Sequence, residues 1–306
     1  MTQNTSAQRM KIGLMLDISE GSIEGKTPTF GDLKAMAQAA ERIGLDSLWL
    51  ADHLIARFPG QDEQGTWEAF TLLSALAAVT ERIMLGPLVA CTSFRNPALL
   101  AKMSDTLDEV SGGRFVLGLG AGWHQPEYDA FGYPFDHLAA RFGEALQVIV
   151  PLLREGHVDF QGQYYSARNC VLRPRGPSPS GPSILIGARR PRMLRLVAQH
   201  ADAWNTVWHK DPLVVKERYT EFKEICTSVG RDPATIDLTA GTIVRLAPAA
   251  EANPIAEAIS GTLEEIAHTL HGFADVGVTH LMVILDPSSV EIIEQFGRVV
   301  ELVRNS

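Results

Sequence analysis

Histidine is the side chain whose ordinary titration lies nearest neutral pH. His53 follows Asp52 at the exit of a short apolar run, Ser47 to Ala51. An imidazole there donates a hydrogen bond or shuttles a proton, with Asp52 capping the next segment or orienting the ring. The competing reading is a histidine in a surface loop. A second candidate is Gly187-Ala188-Arg189-Arg190-Pro191-Arg192, with Arg195 close behind. Free amides at a helix start, reinforced by guanidinium groups, make an anion site; otherwise these residues are a solvated run of charge. A third is Gly112 to Trp123, in which a strand from Phe115 to Leu119 runs into Gly118, Gly120 and Gly122, with Ala121 between the last two. Absent side-chain bulk lets something approach the backbone closely, a cofactor or phosphate in the functional reading and a mere tight turn otherwise. The dinucleotide fingerprint does not fit. Counting from Gly118, its sixth position is Trp123, and the stretch to Pro134 carries Pro126 instead of opening directly into a helix. Gly86-Pro87-Leu88-Val89-Ala90 is a fourth candidate, because proline has no amide for a ladder and a bulge is expected there. Trp67, Trp123, Trp204 and Trp208 are candidate walls for a flat ring, and each singly is also readable as packing. No His-x-His or His-Glu-x-x-His is present, His200 and His209 lack close partners in sequence, and Gly-x-Ser-x-Gly is absent. Neither a metal site nor a serine hydrolase is expected.

These residues need elements to position them. The chain has 306 residues and alternates short apolar runs with longer amphipathic ones from Lys11 onward. Strands are expected at Ile12–Leu16, Ser47–Ala51, Ile83–Val89, Phe115–Leu119, Ser183–Ile186, Ala203–Asn205, Leu238–Leu246 and His280–Ile284. Each precedes a predicted helix: Phe30–Ile43, Trp67–Val79, Pro97 to about Ser111, Arg141–Arg154, Arg190–Ala201, Pro212 to about Val229, Thr262–Val276 and Ser288–Val303. Asn96-Pro97 reads as a cap and first helical residue. Thr262 with Glu265, and Ser288 with Glu291, read as capping boxes. Residues 155–183 break the rhythm and read as an insertion with a hairpin near His157 to Ser166, a candidate lid. The strands are apolar on both faces, as parallel strands covered by helices are. Eight βα units predict a (β/α)₈ TIM barrel, a single domain over 10–306 with an insertion before the fifth strand. An open doubly wound sheet is the runner-up. In a barrel the loops after the strands gather Asp52-His53, Val89 to Arg95, Gly120 to Trp123, Gly187 to Arg190 and Asn205 to His209 around one mouth. Phe58, Phe94, Trp67 and Trp208 are the candidate lining for a moderately hydrophobic substrate.

Composition narrows the partners. A formal net charge of −9 argues against nucleic acid. Three cysteines, an odd number without metal spacing, suit reduced thiols in a cytoplasmic protein. No signal-sequence pattern precedes Met10 and no apolar run reaches membrane-spanning length. Residues 1–8 read as a loose tail.

Ala40 to His53, Glu81 to Gly86, Phe94-Arg95-Asn96-Pro97, Gly112 to Trp123 and Ala201 to Asn205 together resemble the bacterial luciferase-like superfamily, and within it the short, single-barrel F420-dependent oxidoreductases. The resemblance implies hydride transfer between the deazaflavin F420 and a small organic substrate. It also implies that His53 sits at the reacting face with Asp52 in support. A non-prolyl cis peptide at Leu88–Val89 is expected to back the ring. Gly120, Ala121, Gly122 and Trp123 are implied to contact the cofactor, and Gly187 and Ala188 to hold its phosphate. Relatives usually continue that phosphate loop with glycines, where this chain has Arg189 and Arg190. The same scaffold elsewhere carries FMN, so an FMN monooxygenase fed by a separate reductase and using oxygen is the alternative. A flavin-binding protein without turnover is the third reading. Homodimers or larger homo-oligomers are common in the family.

Overall fold

The structure, a computed structural model, describes residues 9–23, 25–246 and 257–305. The expected tail at 1–8 lies outside them. Eight parallel strands form the centre: β1 (Lys11–Leu16), β2 (Ser47–Leu50), β3 (Met84–Pro87), β4 (Val116–Gly120), β5 (Ser183–Gly187), β6 (Ala203–Thr206), β7 (Asp237–Arg245) and β8 (His280–Leu285). Strand β1 pairs with both β2 and β8, and pairing continues in sequence order around the ring. The ring closes between β3 and β4 through the Leu85–Phe115 bridge, and beyond a break Ala90–Cys91 pair with Leu119–Gly120. The sheet is a barrel, and the open-sheet alternative falls.

Alternation along the strands makes two apolar layers. Ile12, Leu14, Leu16, Leu48, Leu50, Leu117 and Leu119 pack outward with the helices. Trp49, Leu185, Ala203 and Met282 fill the barrel interior with Met15, Leu88, Val89, Val116 and Trp208. Part of the interior is polar. Trp49 Nε1 donates to Ser47 Oγ at 2.7 Å, and Ser47 Oγ lies 2.7 Å from His280 Nε2. Gly13 opposite has to be small, because a Cβ there would stand 2.1 Å from Ser47 Oγ. Burial, with Lys11 nearby, pushes His280 down to about 3.

The outer helices are α1 (Phe30–Arg42), α2 (Ala69–Val79), α3 (Pro97–Ser111), α4 (Gln125–Phe131), α5 (Leu138–Glu155), α6 (Pro191–His200), α7 (Pro212–Ser228), α8 (Leu263–Asp275) and α9 (Val290–Asn305). Asn96 caps α3 ahead of Pro97, and Thr262 with Glu265 forms the expected box on α8. Other boundaries move. Helix α2 starts at Ala69, where the Glu68 carboxylate accepts from the amides of Phe70 and Thr71, and Trp67 stays outside with its indole on Pro28 O. The cap of α9 is Ser289, whose Oγ accepts from Ile292 N, and not the expected Ser288 box. Helix α4 occupies a stretch read as irregular, because Pro126 lies in its first turn, where a missing amide is harmless. Helix α5 begins three residues earlier than expected, at Leu138.

The insertion is an antiparallel pair, His157–Gln161 with Ser166–Val171. Its turn is tied to α5, since Glu144 accepts from the amides of Gln163 and Tyr164, each at 2.8 Å. Beyond it, Arg175 pairs with Asp105 and Ser178 binds Asp108, both on α3. The segment is thus held against the outer wall of the barrel. No described helix is long and apolar enough to cross a membrane, and the three cysteines are free.

Candidate functional site

Strand β3 ends at Pro87, and the Leu88–Val89 peptide that follows is cis. The irregularity expected from Pro87 is therefore real, and it turns Val89 against two neighbouring strands. A Cβ on Gly120 would lie 2.7 Å from Val89 Cγ2, one on Gly187 3.2 Å from it, and one on Gly118 3.3 Å from Val89 Cγ1. What approaches Gly120 and Gly187 on their open side is the Val89 side chain, whereas at Gly118 it is first the backbone carbonyl of Pro87, whose oxygen would lie 2.1 Å from an added Cβ.

The loop after β4 is fixed from behind. Thr92 Oγ1 donates to Gly120 O at 3.2 Å, and the Tyr128 hydroxyl to Ala121 O at 3.0 Å. Gly122 has φ +79°, and a Cβ there would fall 1.8 Å from Tyr128 Oη and 2.6 Å from Cys91 Sγ. Cys91 Sγ lies 3.0 Å from that hydroxyl, and burial raises the thiol to about 11, so it is not a ready nucleophile. Burial raises the Tyr128 hydroxyl as well. Phe94 packs here against Tyr128 and Tyr133, at centroid distances of 5.3 and 5.1 Å, instead of lining the mouth.

His53 and Asp52 are neighbours in sequence with separate partners. The His53 Nδ1 lies 2.8 Å from Oε1 of Glu127, a buried carboxylate on α4 that also accepts from Leu54 N. Asp52 does not orient the ring. Its two oxygens accept from Arg95 at 2.7 and 2.9 Å, and Oδ2 accepts from Cys91 N at 2.9 Å. Arg95 also pairs with Glu68 and stacks 4.5 Å over the Phe70 ring. Glu68 is held below the usual carboxylate range: burial pushes it up, and the bonds from Thr71 and Arg95 outweigh that. Asp52, Arg95 and Glu68 thus lock the β2 exit to the start of α2.

Around His53 the rim is aromatic. Trp123, 61% exposed, meets it edge-on at 5.8 Å and lies nearly parallel to Phe58 at 6.3 Å. His124 accepts from Arg57 N through Nε2, and burial lowers its pKa. Across the mouth, Arg189 and Arg190 precede α6 and are exposed, and among the described residues neither joins an ion pair. Arg192 and Arg195 are exposed on α6 itself. His209 binds Thr206 Oγ1 at 2.9 Å, and burial, with Arg218 and Arg189 nearby, lowers it to about 4. Trp208 borders the barrel interior, whereas Trp204 faces outward onto Phe222 at 4.5 Å, so it walls nothing.

The family described as luciferase-like monooxygenase matches residues 10–275. The chain belongs to that family. Among curated luciferase-like relatives, the pyrimidine monooxygenase RutA of Enterobacter sp. (strain 638) is 33% identical over 239 residues, 73% of this chain and 64% of the relative. RutA of Methylobacterium radiotolerans is 38% identical over 182 residues, 57% of this chain and 47% of the relative. The chain thus spans about half to two thirds of the length of the curated relatives it matches. An F420-dependent secondary alcohol dehydrogenase in complex with an F420-acetone adduct superposes with a TM-score of 0.80 at 19% identity, covering 97% of this chain and 99% of that one. EDTA monooxygenase (EmoA) from Chelativorans sp. BNC1 gives 0.82 at 14%, covering 97% and 94%. At these identities the structural likeness speaks for the barrel fold alone.

Within this luciferase-like barrel, the loops bearing His53, Leu88, Val89, Gly120 to Trp123 and Gly187 to Arg190 all leave the same end of the strands. Glu127 and Arg95 were not among the expected site residues. Glu127 belongs to a stretch read as non-helical, and nothing in the spacing of residues 53 and 127 links them. Arg95 sits in the resemblance motif Phe94 to Pro97, but its charge complement to Asp52 becomes visible only once β3 and β2 are neighbours.

Proposed function

We propose that this chain is a flavin-dependent monooxygenase that takes reduced FMN from a separate reductase and oxygenates a small organic substrate with molecular oxygen. The preference drawn from the sequence, F420-linked hydride transfer, becomes the second reading. The reason is that relatives at 33–38% identity are named monooxygenases, while the F420 enzymes among solved structures share 19%. The geometric observation that carries an acid–base enzyme is the His53 imidazole, with one nitrogen tied to buried Glu127 on the rim that also bears the Leu88–Val89 bulge.

The residues present fit a flat ring with an anionic tail. Met15, Leu88, Val89 and Trp208 form an apolar bed, and Arg189 and Arg190 form a cationic edge at a helix start. Reduced FMN supplies the electrons that activate oxygen. The chain's own part is placement: Leu88 and Val89 back the ring, Gly120 to Trp123 border it, and Gly187, Ala188, Arg189 and Arg190 hold the phosphate. Trp123 and Phe58 shield the rim from water, and Nε2 of His53 gives or takes the proton at the reacting group. Pyrimidines, named in the curated relatives, are the first substrates to assay.

Titrating the protein with FMN and with F420 at several salt concentrations tests the choice. The proposal expects oxygen-dependent turnover with reduced FMN. Binding of F420 alone, weakening steeply with salt because of its oligoglutamate tail, returns the reading to hydride transfer. Retention of full turnover by His53→Ala removes the proton role, and absence of turnover with any flavin leaves a flavin-binding protein.

A further inference from the structure

We infer that Glu127 is the positioning residue of His53, holding Nδ1 as the protonated ring nitrogen and leaving Nε2 as the one acid–base atom offered to the mouth. The inference rests on the reading of His53 as the acid–base group. The residue expected from sequence to do this, Asp52, is spoken for by Arg95 and the Cys91 amide. Glu127 has the required geometry. Its Oε1 lies 2.8 Å from Nδ1, and the Leu54 amide at 3.3 Å binds the same oxygen, so the carboxylate is steered by the backbone next to the histidine it serves. Its side chain is 2% exposed, while that of His53 is 34% exposed. The pair is a buried anchor behind a reachable ring. An ionised carboxylate accepts and does not donate, so a neutral imidazole facing it carries its proton on Nδ1.

The other charged or titratable groups around the pair do not compete for Nδ1. His124 faces both His53 and Glu127, but its Nε2 is engaged by the Arg57 amide. Arg57 is paired with Glu63, and the Tyr128 hydroxyl is engaged with Ala121 O and Cys91. Trp123 limits ring rotation from the side, edge-on at 5.8 Å.

Two-bond ¹H–¹⁵N NMR of the histidine rings in the ligand-free protein reads the tautomer directly. In its neutral form His53 is expected to carry the proton on Nδ1, and a dominant Nε2–H form overturns the inference without any variant. In Glu127→Ala the acceptor is gone and the Nε2–H form is expected to gain population; an Nδ1–H preference as strong as in the parent protein overturns the inference. In turnover, Glu127→Ala should lower kcat about tenfold with KM little changed. A loss of activity with the Nδ1–H form fully retained counts against positioning. Full turnover in His53→Ala would remove the function proposed for the ring while leaving the tautomer measurement on the parent protein and on Glu127→Ala intact, so the two failures are distinguishable.

Discussion

Gly122→Ala tests how the loop after β4 is built. The residue has φ +79°, and the added methyl would stand 1.8 Å from Tyr128 Oη and 2.6 Å from Cys91 Sγ. Alanine in the left-handed region costs about 1–2 kcal/mol. Tyr128 is fully buried and cannot yield into solvent. Displacing it breaks its bonds to Ala121 O and Cys91, and leaving such groups unpaired costs about 1–3 kcal/mol. The expected loss is therefore about 2–5 kcal/mol. For 306 residues, unfolding entropy of about 2.1 cal/mol/K per residue converts that to a melting-point drop of roughly 3–8 °C. Gly230→Ala is the control. Its φ is +74° and nothing lies within 4 Å of the added methyl, so it isolates the backbone cost of about 1–2 kcal/mol. Calorimetry or circular dichroism on both variants, together with flavin titration, gives the comparison. Gly122→Ala should melt below Gly230→Ala and bind flavin more weakly. Equal melting points for the two would refute the picture of a loop braced by the Tyr128 hydroxyl.

Three further outcomes follow from the same geometry. Asp52→Asn leaves the Arg95 guanidinium without its bidentate partner and should cost about 3 kcal/mol in urea unfolding, while the His53 tautomer is unchanged because Asp52 bonds Arg95 and the Cys91 amide and not the ring. His209 and His280 are depressed to about 4 and about 3 in the folded protein. The unfolded chain therefore binds more protons than the folded one below about pH 6.5, and each histidine's contribution, complete above that pH, is lost as pH falls toward its folded value, at up to about 1.4 kcal/mol per unit. Replacing His209 by Gln should flatten the upper part of that loss between about pH 6.5 and 4 in pH-resolved melting. Arg189→Ala combined with Arg190→Ala should weaken FMN binding about tenfold at low salt and reduce its salt dependence; unchanged titrations would take the phosphate away from this edge.

Much of the barrel was legible because its signals are local. Leu14, Leu48, Leu117 and Leu281 sit in short runs buried on both faces, and such runs mark parallel strands wherever they occur. Asn96-Pro97 and Thr262 with Glu265 announce helix starts through side chains that reach only two or three residues. Boundaries failed where two neighbours compete for the same role. Ser288 and Ser289 are both capping residues, and which of them caps α9 is decided by where β8 releases the chain. Helix α4 was missed because Pro126 reads as a breaker unless its position in the first turn is known. The site was legible as a set of loops and opaque as a set of pairs. His53 finds Glu127 across 74 residues and Asp52 finds Arg95 across 43, distances over which no periodicity carries information.

The glycine run shows the same limit and permits a sharper test. Gly118, Gly120 and Gly122 mark a backbone that something approaches, and the sequence leaves the identity of that something open. On the open side of Gly120 it is Val89 Cγ2, 2.7 Å from where a Cβ would stand. If the glycine serves Val89, then Gly120→Ala overpacks against that methyl, at a cost of about 1–3 kcal/mol. Val89→Ala removes the obstruction, so the double variant should be more stable than the sum of the single losses predicts, by about 1–2 kcal/mol in a double-mutant cycle. If the glycine serves only a bound ring, the two losses add in the ligand-free protein and the coupling appears solely in flavin affinity. Unfolding midpoints of the four ligand-free proteins separate these outcomes. Additivity within about 0.3–0.5 kcal/mol would detach Gly120 from Val89.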